Sequence, residues 1–235
     1  MIQLESLKKE MLEVGRRLYE KGFVASNDGN LTARIDEDTI LATPTGVCKG
    51  DMTPEHLLVL DMNGAVMSGS YRPTSELKMH LAVYQERPDV RAVVHAHPQK
   101  ATAYAVAGIP LDKITLPEMV FALGKINLTE YGTPSTEEIP ETVRRHIRDA
   151  NALLLLNHGA LTVGIDLMEA YFAMETLEHF AAISLYAHLL GGAKEISKQK
   201  IDRLFEVRSR TYGKCNYIFN RNRLIDGHKS AATRI

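Results

Sequence analysis

The sequence predicts a single α/β domain in which a mostly antiparallel sheet is flanked by helices. Short apolar, β-branched runs bounded by turn residues alternate with longer stretches of helical periodicity. Neighbouring runs are joined by tight turns, the spacing of antiparallel hairpins. No repeat, low-complexity block or linker divides the 235 residues, a length that one ordinary domain accounts for. A hydrophobic content of 45% with 24% charged residues fits a folded globular chain. The net charge of -1 gives no sign of a nucleic-acid partner. No run approaches the ~18 apolar residues needed to span a bilayer, and the charged, amphipathic N-terminus lacks the apolar core of a secretion signal. Cys48 and Cys215, distant in sequence and without metal-type spacing, suggest two thiols in a reducing cytoplasm.

The elements follow in order. Leu4, Leu7, Met11, Val14, Leu18 and Tyr19 fall on one face of a helix that Gly22 ends. A polar loop, Ser26-Asn27-Asp28-Gly29-Asn30, leads into a hairpin of residues 31–35 and 39–43 around Asp36-Glu37-Asp38. Pro44-Thr45-Gly46 is a turn, Leu57–Asp61 a strand, and Asn63-Gly64 a hairpin signal. Pro73-Thr74-Ser75-Glu76 opens a helix running to about Gln85, with Thr74 or Ser75 as its cap. Arg91–His97 is a strand, 99–107 a helix of small residues, and 137–149 an exposed helix. Residues 152–158 and 160–163 form short strands around Asn157-His158-Gly159. Met168–Leu190 is a long Ala-rich helix ending at Gly191-Gly192, and 197–210 a shorter polar one. The Arg-, Asn- and Lys-rich remainder reads as a loosely held tail.

The chemistry concentrates in Arg91-Ala-Val-Val-His-Ala-His97. On a strand, residues i and i+2 share a face, so His95 and His97 project together at the strand's end. His158 closes a second apolar run. Three neutral imidazoles leave one position open on a zinc-like ion, the pattern of a catalytic rather than a structural site. Zn2+ is the first candidate, and Mn2+ or Co2+ also suit such ligands. His56, His146, His188 and His228 sit in solvated contexts, and His179 pairs with Glu175 one turn earlier on a helix surface.

Glu76 carries two readings. An N-terminal carboxylate stabilises its own helix through the dipole. Beside a metal it would instead move a proton on a carbon next to a carbonyl. The small polar turns Gly29-Asn30, Thr45-Gly46 and Thr74-Ser75 offer backbone N–H groups with a hydroxyl or amide, the chemistry that cradles phosphate. Neither a Walker-type nor a dinucleotide-type glycine pattern occurs, which argues against a nucleotide cofactor.

Taken in order, Gly-Asn, Thr-Gly, Ser-Glu, His-Ala-His and Asn-His-Gly resemble the class II aldolase/adducin superfamily, and within it the L-fuculose-1-phosphate aldolase branch. The resemblance runs from the first helix to about residue 212, leaving 213–235 as a tail that in this family closes over the site. It implies a single three-layer domain with a central, mostly antiparallel sheet, assembled as a cytoplasmic homotetramer with sites between subunits. By this resemblance His95, His97, His158 and resting Glu76 would bind zinc, with Glu76 also the acid/base that moves away when substrate binds. Gly29, Asn30, Thr45, Gly46, Thr74 and Ser75 would hold the phosphate of a sugar-phosphate substrate.

The implied reaction is reversible retro-aldol cleavage of a ketose 1-phosphate to dihydroxyacetone phosphate and an aldehyde. L-fuculose, 5-deoxyribulose and 5-methylthioribulose 1-phosphates are the substrates this branch suggests. Related pentulose-phosphate 4-epimerases usually carry Asp where Glu76 stands, and adducin-like members have lost the metal histidines. The chain departs from the fuculose aldolases in one segment, Leu116-Pro117-Glu118-Met119, where they place a tyrosine. Glu118 there is similar to the acid/base of methylthioribulose-1-phosphate dehydratases, which keeps a dehydratase or decarboxylase as an alternative, beside the pentulose-phosphate 4-epimerase that Glu76 argues against. Tyr131, or Tyr212 or Tyr217 near the tail, would supply the missing hydroxyl.

Overall fold

The computed structural model describes residues 2–212. Its centre is an eight-stranded sheet with the order β4-β3-β2-β1-β5-β8-β7-β6. The strands are β1 (Asn30–Arg34), β2 (Thr39–Ala42), β3 (Leu58–Asp61), β4 (Val66–Ser68), β5 (Ala92–Ala96), β6 (Ile126–Leu128), β7 (Ala152–Leu155) and β8 (Gly159–Gly164). All neighbours pair antiparallel except β6 with β7. The helices are α1 (Ile2–Glu20), α2 (Leu77–Glu86), α3 (Gln99–Ala107), α4 (Glu138–His146), α5 (Leu167–Leu189) and α6 (Lys198–Tyr212).

The strand period of two sorts side chains into two cores, one on each side of the sheet. From β5, Ala92, Val94 and Ala96 join α1, α3 and α5 in one cluster. Val93 points the other way, to α2 and α4 with Leu153, Leu161 and Val163. The result is three layers, helix on sheet on helix. The alternation matters for the site: residues 30, 32 and 95 lie on the α2 side of the sheet. Asn30 and His95 are direct register partners there.

Several local expectations needed correction. Helix α2 begins at Leu77, so Glu76 is its N-cap residue; neither Thr74 nor Ser75 occupies that position. Thr74 Oγ1 instead accepts the Glu76 N–H at 3.3 Å. Helix α4 is not an exposed helix: Ile139, Pro140, Thr142 and Val143 are buried against α2. Glu175 is taken by Tyr171 Oη and Lys21 Nζ rather than by His179. Strand β4 returns from the Asn63-Gly64 hairpin signal, whereas strand β6 and a π-helical turn at Met119–Leu123 have no counterpart in the sequence reading. Cys48 is a free thiol. Cys215, Tyr217 and the tail 213–235 lie outside the described residues, as does the side chain of Tyr212.

Candidate metal centre

His95 is the penultimate residue of β5, fully buried, and His97 follows on the same face just past the strand. His158 closes the hairpin between β7 and β8, in a turn where Asn157 adopts a left-handed φ of 57°. Gly159 permits the approach: a Cβ there would stand 2.4 Å from His97 Cδ2 and 2.8 Å from the Ala96 carbonyl. Gly29 is required twice over, by its φ of 72° and by the His95 carbonyl 2.9 Å from where a Cβ would be. Together the three imidazoles place one ligand nitrogen each within 4.8 Å of one another, the geometry of a group able to hold a metal ion.

The outer ring nitrogens of His95 and His97 orient their rings. His95 Nδ1 donates to the Ala160 carbonyl at 2.9 Å, so its Nε2 faces the cluster. His97 Nδ1 lies 3.4 Å from Asp28 Oδ2, which turns its Nε2 inward as well. The two Nε2 atoms are 3.2 Å apart. Two ring nitrogens held that close call for a proton or a cation between them. Glu76 adds to this demand: Oε2 is 3.2 Å from His95 Nε2 and Oε1 is 3.2 Å from His158 Nε2. Oε1 is buried and makes no hydrogen bond of acceptable geometry. The donor set, nitrogen and carboxylate oxygen, fits zinc or a similar divalent ion.

Charge follows from this packing. Burial would push the Glu76 carboxyl up, but the imidazoles of His95 and His158 and the Asn30 amide outweigh it and hold the carboxyl well below the usual range. Burial pulls His95 down, while Glu76 and the Ala160 carbonyl more than restore it, leaving it raised. His97 is lowered by burial and then by His95, and His158 falls to about 4 for the same reasons.

Beside the cluster opens a cavity of about 240 Å³ lined by Asn27, Asp28, Gly29, Asn30, Pro44, Thr45, Gly46, Thr74, Ser75, Glu76, His97, Pro134 and His158. Every residue expected to hold phosphate is on that wall. Pro44 and Pro73 form an isolated bridge, and Thr45 N donates to the Arg72 carbonyl at 3.0 Å, so two of the turns are tied together. Lys49, 1% exposed, binds the other pair of loops: its Nζ donates to the carbonyls of Asn27 (3.2 Å) and Val47 (2.7 Å). Its burial lowers its pKa to about 8.

Two expected residues stand apart from this cavity within one chain. Glu118 is exposed at the start of the π-helical turn, in a separate cleft with Lys21, Lys100, Glu175 and His179. Tyr131 is 54% exposed on the loop that sends Pro134 to the cavity, without lining it itself. Conversely, sequence reasoning passed over His80, fully buried one turn after Glu76 and bonded to Asn30. The i, i+4 spacing from Glu76 was the available signal.

Fold and site thus define an α/β protein in which three histidines able to hold a metal ion stand with a buried carboxylate beside a pocket walled by small polar turns. Residues 9–185 match the class II aldolase and adducin N-terminal domain. The L-fuculose phosphate aldolase of Methanococcus maripaludis is 37% identical over 175 residues, 74% of this chain and 94% of its own length. The 3-oxo-tetronate 4-phosphate decarboxylase of Haemophilus influenzae is 34% identical over 184 residues, covering 75% and 85%. The solved structure of YgbL from Klebsiella pneumoniae superposes with a TM-score of 0.80 at 28% identity over 85% of this chain and 98% of that one. The chain belongs to the class II aldolase and adducin family.

Proposed function

We propose that the chain is a metal-dependent lyase that reversibly cleaves a ketose 1-phosphate, such as L-fuculose, 5-deoxyribulose or 5-methylthioribulose 1-phosphate, to dihydroxyacetone phosphate and an aldehyde. One observation carries the reading: an ionised Glu76 faces three converging imidazoles at the mouth of a pocket walled by small polar turns. The relative named L-fuculose phosphate aldolase supports it.

His95, His97, His158 and Glu76 would hold the ion, zinc first and Mn2+ or Co2+ as alternatives. When bound, the ion supplies Lewis-acid stabilisation of the negative charge that develops on the substrate's carbonyl oxygen. Gly29, Asn30, Thr45, Gly46, Thr74 and Ser75 hold the phosphoryl group, fixing C2 and C3 against the cluster. As the C3–C4 bond breaks, the proton of the C4 hydroxyl leaves to a base and the bonding pair passes to C3. Glu76 delivers a proton to C3, or removes it in the synthetic direction. Glu118, from a second copy of the chain, or Tyr131 takes the C4 hydroxyl proton.

The relative named 3-oxo-tetronate 4-phosphate decarboxylase favours a second reading, in which the same enolate arises by loss of carbon dioxide. A coupled assay for dihydroxyacetone phosphate, run on the three ketose phosphates with and without chelator, separates them. Chelator-sensitive release is expected. No release from any of the three, together with carbon dioxide from a 3-oxo acid phosphate, would replace the aldolase with the decarboxylase.

A further inference from the structure

We propose that His80 is a positioning residue for Glu76, acting through the side chain of Asn30. The inference rests on the metal-centre reading above and extends it to a buried side chain that binds neither ion nor substrate.

The chain of contacts has one consistent set of donors. Ionised Glu76 can only accept, so Asn30 Nδ2 donates to its Oε2 at 2.9 Å. That turns Asn30 Oδ1 to the other side, where His80 Nε2 lies 2.5 Å away and must carry the proton. His80, on the sheet-facing side of α2, is held neutral by burial, its pKa lowered to about 3. Its Nδ1 is therefore a lone pair, and it accepts from Thr32 Oγ1 at 2.8 Å. Thr32 Oγ1 in turn accepts from Tyr84 Oη at 2.8 Å. From Tyr84 to Glu76 every donor points toward the metal cluster.

This explains why the Asn30 amide is oriented at all. A primary amide beside a carboxylate can turn over when its oxygen has no donor, and here the imidazole N–H supplies one. Asn30 and His95 are register partners on adjacent strands, so the same carboxylate oxygen is held by Asn30 at 2.9 Å and lies 3.2 Å from His95 Nε2. The position of Oε2 in the cluster is thus set from behind, by His80. Partners that orient a metal ligand typically change affinity about 10–100-fold when removed.

The test is Co2+ titration followed by visible absorption, which reports the ligand set without turnover. His80→Phe, shown folded by circular dichroism, is expected to weaken Co2+ binding by about 10–100-fold and alter the spectrum. His80→Gln, which keeps an N–H for Asn30, is expected to restore most of the affinity. In an Asn30→Ala background, His80→Phe should add nothing further. Unchanged Co2+ binding in folded His80→Phe, or fully additive losses in the double variant, would overturn the inference while leaving the metal centre standing. If His80→Phe does not fold, Thr32→Val breaks the next link, and unchanged affinity there has the same force. Wild-type protein that binds no Co2+ would remove the metal-centre reading and this inference with it.

Discussion

An imidazole tied at Nδ1 to a backbone carbonyl or a carboxylate can present only Nε2 to a neighbour, and His95 and His97 are both tied in this way. Removing His97 removes one of three converging nitrogens. His97→Ala is expected to lose divalent-ion binding and lyase activity together, checked by metal analysis and assay on the same preparation. Glu76→Gln keeps the shape but cannot hold a proton in transit, so kcat should fall by at least about 100-fold while substrate affinity stays near wild type. Normal turnover by Glu76→Gln would dismiss Glu76 as the base. Lys49 allows a different kind of test. Its ammonium is buried between two carbonyls, with its pKa lowered from 10.5 to about 8. Between those values the folded lysine has released its proton while the unfolded one keeps it, so the unfolded chain binds more protons and stability rises with pH. The rise should reach about 2.5 kcal/mol by pH 10 relative to pH 7. Urea unfolding of wild type and Lys49→Met at both pH values isolates it: the increment should vanish in the variant.

Helix α3 starts directly after His97-Pro98, and Pro98 at its N-cap makes no side-chain cap. The first N–H groups of a helix need acceptors, and here a neighbouring helix supplies them. Glu178 of α5 accepts from Lys100 N and Ala101 N at 3.0 and 2.9 Å, and its Oε1 lies 3.3 Å from Lys100 Nζ. Glu178→Ala should therefore cost about 1–3 kcal/mol in urea unfolding and weaken Co2+ binding through His97. Destabilisation with unchanged metal affinity would show that α3 does not help place His97. The same level of organisation shows what could be read in advance. Helices α1, α5 and α6 announce themselves over several turns, and β5 and β7 over uninterrupted apolar runs. Strands β4 and β6 are three residues each, too short for a period; β4 is announced only by the Asn63-Gly64 turn before it, and β6 exists because β7 pairs with it. Glu76 was legible as a carboxylate at a helix start, but its meeting with His95 depends on the order in which β1, β5 and α2 pack. His80 was lost for a related reason: its partners, Asn30 and Thr32, are distant in sequence and meet it only across the sheet face.

Cleavage of a carbon–carbon bond next to a carbonyl needs two proton-handling groups, one at the carbon and one at the departing hydroxyl. In the proposed reaction Glu76, which lines the cavity beside the histidines, is the first. Glu118, the candidate for the second, opens onto another cleft of the same chain, with Lys21 and Lys100 rather than with the cluster. One chain therefore does not assemble both groups, whereas a closed ring of copies does so if each sends Glu118 to its neighbour's cavity. This assembly makes a prediction that a self-contained monomer does not. Glu76→Gln and Glu118→Gln proteins should each be nearly inactive, and unfolding and refolding them together should regain activity. In randomly mixed rings, a site with both wild-type groups arises where a Glu118→Gln chain donates its cavity to a Glu76→Gln neighbour. With equal amounts of the two chains this is about one site in four, so roughly a quarter of wild-type activity is expected. Light scattering should report a tetramer for each variant alone and for the mixture. If the mixture stays inactive although hybrid oligomers form, Glu118 does not act across subunits, and Tyr131, on the loop that already reaches the cavity, becomes the group to substitute next.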